Sequence, residues 1–153
     1  MRLIMIVFAV CVALTAPAQP EHASRRRNFN NENYVALREF DPVSYFSNKP
    51  QKGSAKFEYN YKGLYYYFVN EANREEFKKS PEKYEPAYGG WCAYTLAHSG
   101  ERVKVNPSSF KIINGKLYLF YNFNSDNRMV KWDHGDQKKL KLAADKNWVR
   151  TMH

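Results

Sequence analysis

Aromatic residues occupy every second position from Phe57 in residues 55–61, and a second aromatic run covers residues 64–68. Lys62-Gly63 lies between the two runs. Alternation with a period of two is typical of a half-buried strand, and a short turn containing glycine between two such runs indicates antiparallel pairing. The segment is therefore predicted to form a β-hairpin.

The clearest turn signal lies between residues 110–113 and 116–120, where Asn114-Gly115 joins two apolar runs. Asn-Gly is the dipeptide that type I′ turns prefer, because both central residues of that turn need a positive φ. This segment is predicted to form a second β-hairpin.

Helical patterns occupy most of the remaining apolar segments. Asn70 is a predicted N-cap, Ser80-Pro81 has the residues that begin a short helix, and Gly100 has the position of a helix terminator. The predicted helices cover residues 70–80, a short segment after Pro81, Trp91 to His98, and two segments from about Asp126 that are interrupted near Gly135 and end at Trp148. This order of elements predicts an α+β fold, in which a small antiparallel sheet with hairpins packs against several short helices.

Residues 1–18 have the layout of a secretory signal peptide. Arg2 precedes an apolar run over residues 3–14, and the small-residue cleavage pattern Ala16-Pro17-Ala18 follows. The apolar run is too short for a stable membrane anchor, which is the alternative interpretation, and no later segment is apolar enough to cross a membrane. We therefore expect cleavage after Ala18 and a secreted, extracellular protein.

The mature chain is expected to begin with a polar segment. Residues 19–33 lack hydrophobic periodicity and contain Arg25-Arg26-Arg27, which predicts a disordered basic arm. Residues 34–150 have the length of one domain.

The charge of the chain changes which partners are expected. A net charge of +9 favours anionic partners. In a secreted protein these are an anionic polysaccharide or the extracellular matrix, and nucleic acid is not expected. Removal of Cys11 with the signal peptide leaves Cys92 as the only cysteine, so an internal disulfide is excluded.

Four segments, "DPVSYF", "YYYFVNEANREEFKKSPEKYEPAYGGWCAY", "NGKLYLFYN" and "ADKNW", follow one another along the chain. In this order they resemble the YHS-domain family, and the chain is most similar to the branch of single-domain secreted members. The resemblance extends from about Val35 to Trp148. Other branches of that family are thought to bind metal through cysteines.

The resemblance places those cysteine positions at Ser44, Val69 and Asn73, and none of these residues is a thiol. A serine hydroxyl or a neutral amide is a poor ligand for a soft metal. The comparison therefore implies that this chain keeps the framework of the family without its usual cysteine ligands.

Cys92 and His98 are the candidate metal ligands, in the stretch "YGGWCAYTLAHSG", for copper or zinc. On a continuous helix their side chains point about 120° apart, and a transition metal normally needs three or four ligands. Two alternatives remain open. Cys92 is a reactive thiol at the start of a helix, or it is a small apolar residue of the core beside closely packed glycines.

The sequence contains no Gly-rich phosphate loop and no nucleophile elbow, and the protein is expected not to be an enzyme. Lys138, Lys139 and Lys141 form a basic pattern that is often associated with polysaccharides of the heparin type. The leading hypothesis is a secreted YHS-like protein that binds a metal or a small ligand. The alternative is an extracellular matrix or interaction protein that uses its basic surface and has no cofactor.

Overall fold

The computed structural model of the protein describes residues 20–152, so the predicted signal peptide lies outside the described residues. Mixed helices and small antiparallel sheets confirm the predicted α+β class. The helices are α1 (Pro20–Asn28), α2 (Glu71–Lys79), α3 (Pro81–Tyr84), α4 (Ala93–Ser99), α5 (Arg128–His134) and α6 (Gln137–Met152). The strands are β1 (Asn31–Glu32), β2 (Val35–Ala36), β3 (Ser54–Tyr61), β4 (Leu64–Phe68), β5 (Asn106–Ile113), β6 (Lys116–Phe120), β7 (Asn122–Phe123) and β8 (Asp126–Asn127).

The first predicted hairpin is confirmed as β3 and β4, which pair antiparallel across Lys62 and Gly63. Strand β4 is one of the two inner strands of a sheet with the order β1-β2-β4-β3, and its pairing with β2 is parallel. Leu64, Tyr66 and Phe68 alternate along β4 and are buried. The period-two pattern therefore directs one face of this strand into the core, against Phe77 of α2.

The second predicted hairpin is confirmed as β5 and β6. Asn114 and Gly115 have φ values of 50° and 74°, as a type I′ turn requires. Leu117 and Leu119 of β6 pack into one apolar cluster, whereas Tyr118 and Phe120 pack into another. Because successive side chains of a strand point to opposite faces, β6 is buried on both sides and joins the two halves of the core.

The predicted helices occur with small changes at their ends. The side chain of Asn70 caps α2 by accepting a hydrogen bond from the Asn73 backbone N–H at 2.8 Å, as expected. Helix α4 begins at Ala93 instead of Trp91, because Trp91 and Cys92 have extended backbone dihedrals. Gly100 ends it with a φ of 77°.

The prediction of a disordered arm over residues 19–33 is wrong for its described part, since Pro20–Asn28 form helix α1. Arg25 is buried and pairs with Glu85, which lies 60 residues further along the chain. Asn30 continues the contact by donating from its backbone N–H to the Gly89 carbonyl oxygen at 2.9 Å. The polar segment is therefore held by partners distant in sequence, and local periodicity gives no sign of them.

No helix within residues 20–152 is both long enough and apolar enough to cross a membrane.

Candidate ligand pocket

The turn at Tyr88-Gly89-Gly90 has an unusual backbone. Its three residues have φ values of 56°, 58° and 85°, so all lie in the left-handed region that favours glycine. A Cβ atom on Gly89 would lie only 2.8 Å from Cη2 of Trp148 and 2.9 Å from Cγ of Phe29. The glycine therefore allows the backbone to approach two aromatic rings from distant parts of the chain.

A cavity of about 330 Å³ opens beside this turn. Its walls include Phe29, Tyr88, Tyr118 and Trp148, which come from the end of α1, the turn itself, β6 and α6. The ring centroids of Phe29 and Trp148 are 5.6 Å apart, and those of Tyr88 and Tyr118 are 5.7 Å apart. We call this cavity the aromatic pocket; its remaining lining residues are Glu85, Pro86, Ala87, Gly89, Lys116 and Asp145.

Glu85 brings a buried ionic network to the pocket. Its carboxylate pairs with the guanidinium of Arg25 and accepts a hydrogen bond from the Tyr66 hydroxyl. The side chains of Arg25 and Glu85 are only 8% and 9% exposed. Burial, followed by the charge of Glu85, raises the pKa of Tyr66 well above its usual value, so this phenol stays neutral.

Asp145 of α6 is the second carboxylate of the pocket. It accepts hydrogen bonds from the Tyr88 hydroxyl at 2.9 Å and from Nζ of Lys141 at 2.7 Å. Burial, together with the hydrogen bond to Asp145, raises the pKa of Tyr88. Both carboxylates of the lining are therefore already paired with a basic side chain and a neutral phenol.

Among residues 20–152, Lys116 is the only basic residue that lines the aromatic pocket. Its Nζ donates a hydrogen bond to the backbone carbonyl of Glu82 at 2.6 Å. Burial lowers the pKa of Lys116, while the nearby charges of Glu85 and Glu82 act in the opposite direction. A concave site with aromatic side chains and a few convergent polar groups of perturbed pKa is a common form of small-ligand site.

A second and larger cavity, of about 430 Å³, lies beside β2. It is lined by Glu32, Asn33, Val35, Arg38, Glu39, Lys52 and Tyr67, and most of these residues are exposed. Arg38 and Glu39 have φ values of 51° and 71°, so its floor is also a left-handed turn. Tyr67 is the one aromatic side chain among these lining residues, whereas four line the aromatic pocket, so the aromatic pocket is the better candidate for a ligand with a flat ring.

The candidate metal ligands Cys92 and His98 lie in different environments. Cys92 is fully buried, and its Sγ accepts a hydrogen bond from Oγ1 of Thr95 at 3.3 Å. His98 is exposed and stacks on the ring of Tyr94 at a centroid distance of 5.8 Å. Within residues 20–152, no three His, Cys, Asp or Glu side chains are grouped so that they could hold a metal ion. The two residues are thus not brought into one site, and the burial of Cys92 favours its interpretation as a core residue.

One buried carboxylate, that of Asp41, contacts all three positions at which the resemblance implies cysteines. Asp41 is 0% exposed. Its Oδ1 accepts hydrogen bonds from the backbone N–H groups of Val43 at 2.8 Å and Ser44 at 3.3 Å. Its Oδ2 accepts them from the Val69 N–H at 3.0 Å and from Nδ2 of Asn73 at 2.7 Å. Asp41 therefore caps the turn that follows it and also connects that turn to the start of α2.

The predicted polyanion-binding residues Lys138, Lys139 and Lys141 are all exposed on α6. Nζ of Lys139 lies 3.6 Å from Asp136, and Lys141 pairs with Asp145 of the aromatic pocket. Exposed ion pairs of this kind contribute about 0–1 kcal/mol, so they leave the lysines accessible to a stronger anionic partner.

Comparisons of the chain with known protein families, with curated proteins and with solved structures find no match. The resemblance to the YHS-domain family therefore rests on the sequence motifs alone.

Three of those motifs line the aromatic pocket. "YYYFVNEANREEFKKSPEKYEPAYGGWCAY" supplies the turn and Glu85, "NGKLYLFYN" supplies Lys116 and Tyr118, and "ADKNW" supplies Asp145 and Trp148. The sequence pattern in the first motif favours Cys92 as the site residue and does not identify the pocket. The paired glycines before Cys92 were the available signal, but only the fold brings the other two motifs to them.

Proposed function

We propose that this protein is a secreted binding protein that holds a small ligand with a flat, unsaturated part in the aromatic pocket. The observation that supports the proposal is the convergence of three motifs, separated in sequence, on one cavity. These motifs do not fill the space where they meet, because a volume of about 330 Å³ remains beside their aromatic side chains. That volume lies in the usual range for small-molecule sites, about 300–1,000 Å³.

The backbone of the turn supports the same proposal. A non-glycine residue in the left-handed region costs about 1–2 kcal/mol, and such strain is concentrated at binding sites where a particular geometry is needed. Tyr88 carries this strain with a φ of 56°. In this conformation its ring lies beside Tyr118 and its hydroxyl reaches Asp145. The turn therefore orients a ring and a hydroxyl toward the same cavity.

Filling the pocket should abolish ligand binding without unfolding the protein. Ala87 lines the pocket, so a leucine at this position would occupy part of the cavity. With benzamide as a neutral aromatic probe, the wild type should show a concentration-dependent rise in Tm, because a ligand of the native state stabilises it. We expect the affinity of Ala87→Leu to be at least about tenfold weaker.

Ala72→Leu is the matched control, because Ala72 is exposed on α2 and lies outside the pocket. This variant should bind benzamide as the wild type does. Equal affinities of all three proteins would contradict the assignment of the pocket.

The second candidate function is recognition of an anionic polysaccharide by the outer face of α6, and a specific observation favours it. The helix carries Lys138, Lys139, Lys141, Lys146 and Arg150 against one acidic residue, Asp145. Leu142 and Val149 are 62% and 57% exposed on the same helix. Their spacing of seven residues places them on one face, and a basic surface with exposed apolar residues is a common form of contact site.

Replacing Lys138, Lys139 and Lys141 together with alanine tests this second function. The variant has three fewer positive charges, so its affinity for heparin should be about tenfold weaker. Because salt screens the remaining contacts, the variant should elute from immobilised heparin at a lower salt concentration than the wild type. The triple variant of Lys49, Lys56 and Lys104 is the control, since all three are exposed outside α6. Equal elution shifts of the two variants would mean that only net charge matters and would contradict a dedicated site.

A further inference from the structure

The aromatic pocket has an imbalance of charge that limits which ligands it can hold; this inference rests on the proposed function. Of its two carboxylates, Glu85 is paired with Arg25 and Asp145 is paired with Lys141. Lys116, the basic residue of the lining, forms no ion pair with any carboxylate among residues 20–152, and its Nζ donates to the Glu82 carbonyl oxygen at the edge of the lining. Once the paired charges are set aside, one positive charge remains in the lining.

The hydrogen-bonding capacity of Lys116 is also incompletely used. A lysine ammonium group has three donors, and the Glu82 carbonyl accepts one of them at 2.6 Å. A carboxylate can accept the others, and a hydrogen bond between charged groups is stronger than one between neutral groups. An anionic group of the ligand would therefore gain both charge and hydrogen bonds at Lys116.

The opposite possibility is a cationic ligand, because several aromatic rings beside carboxylates can also surround an ammonium group. Here Glu85 already receives donors from Arg25 and Tyr66, and Asp145 receives them from Tyr88 and Lys141. A cationic ligand would therefore find no unpaired carboxylate in the lining, and the positive charge of Lys116 would repel it. The balance of charges therefore favours an anion.

The geometry points to an aromatic monocarboxylate as the ligand class, with its ring among Phe29, Tyr88, Tyr118 and Trp148 and its carboxylate on the ammonium group of Lys116. Such a ligand matches both the four aromatic side chains and the one charged side chain of the lining that has no ion-pair partner among residues 20–152. Its ring buries apolar surface, and its carboxylate fixes its orientation.

Three probes that share a benzene ring and differ in charge distinguish the effect of ligand charge on affinity from that of ligand shape. They are benzoate, benzamide and benzylammonium, which carry one negative charge, no charge and one positive charge. Isothermal titration of the wild type should show benzoate binding about tenfold or more tightly than benzamide, because a hydrogen bond between an ammonium group and a carboxylate is stronger than one to a neutral amide. Benzylammonium should bind most weakly.

Lys116→Met should remove the preference for benzoate and leave the affinity for benzamide nearly unchanged. Lys116→Arg keeps the positive charge and should keep a preference of several-fold. Lys104→Met is the matched control, because the side chain of Lys104 is 71% exposed and lies outside the pocket. It should behave as the wild type.

The affinity for benzoate should also depend on pH. Binding requires the protonated amine of Lys116, so it should weaken as pH rises through the pKa of this lysine, which burial lowers from its usual value. The charged or titratable groups around Lys116 are Glu82, Glu85, Tyr88, Tyr118 and Asp145. The raised pKa values of Tyr88 and Tyr118 keep both phenols neutral over this range, so the lysine dominates the change.

Two results would overturn the inference and leave the proposed function standing. Equal affinities for benzoate and benzamide would show that the pocket does not select charge. Tighter binding of benzylammonium would show that the pocket selects a cation. Absence of binding for all three probes would contradict the proposed function itself.

Discussion

Replacing Arg25 with alanine is expected to lower the free energy of unfolding by about 3–5 kcal/mol. The change leaves the carboxylate of Glu85 without a cation in a buried site, where both side chains are less than a tenth exposed. It also removes the contact of the guanidinium with the ring of Phe29, whose centroid lies 4.3 Å away. Urea denaturation of the chain from residue 19 onward measures the effect.

Arg27→Ala is the matched control, from the same run of arginines. Its side chain is exposed on α1, so its replacement should change the stability by no more than about 0.5 kcal/mol. Similar small effects of the two variants would contradict the docking of α1 on the domain.

Replacing Asp41 with alanine is expected to lower the free energy of unfolding by at least about 3 kcal/mol. The backbone N–H groups of Val43 and Val69 and the side-chain amide of Asn73 lose an acceptor, and a buried donor without a partner costs about 1–3 kcal/mol. The Ser44 N–H keeps the Asp41 backbone carbonyl oxygen, at 3.2 Å, as its acceptor. Asp41→Asn should also destabilise the protein, because one of its two oxygens becomes an NH₂ group that faces donors. Thermal unfolding followed by circular dichroism measures both changes.

The loss in Asp41→Ala should be the same with and without a metal chelator, because its cause lies in protein hydrogen bonds. Ala72→Gly serves as a reference for the scale, since a glycine in an exposed helical position costs about 1 kcal/mol. A destabilisation by Asp41→Ala that appears only in the presence of added zinc would contradict the structural role of this carboxylate.

Local signals in the sequence were sufficient to predict the two hairpins and the cap of α2. Asn114-Gly115 determines its own turn, and Asn70 caps a helix through an N–H group three residues away. Helix α1 could not be predicted in this way. Its stability depends on Glu85 and on the Gly89 carbonyl, which lie about 60 residues further along the chain.

The candidate site was predicted only as a region of the sequence. The stretch "YGGWCAYTLAHSG" directed attention to Cys92 and His98, yet its first two residues, Tyr88 and Gly89, are the ones that line the pocket. Cys92 does not line the pocket, because its backbone pairs with Leu119 of β6 and this pairing places its side chain in the core. Lys116 and Trp148 reach the pocket only through the folding of β6 and α6 around the turn, and their spacing along the chain contains no sign of this.

The three tryptophans of the chain allow the most direct test of the aromatic pocket. Trp148 lines the pocket, whereas the indole N–H of Trp91 donates to the Asn28 carbonyl and Trp132 lies in the core. We would titrate ¹⁵N-labelled protein with benzamide and follow the three indole N–H signals by NMR, with Trp148→Phe to assign the pocket signal. Binding in the aromatic pocket predicts that the Trp148 signal shifts most. An unchanged Trp148 signal, with or without shifts of the other two, would contradict it.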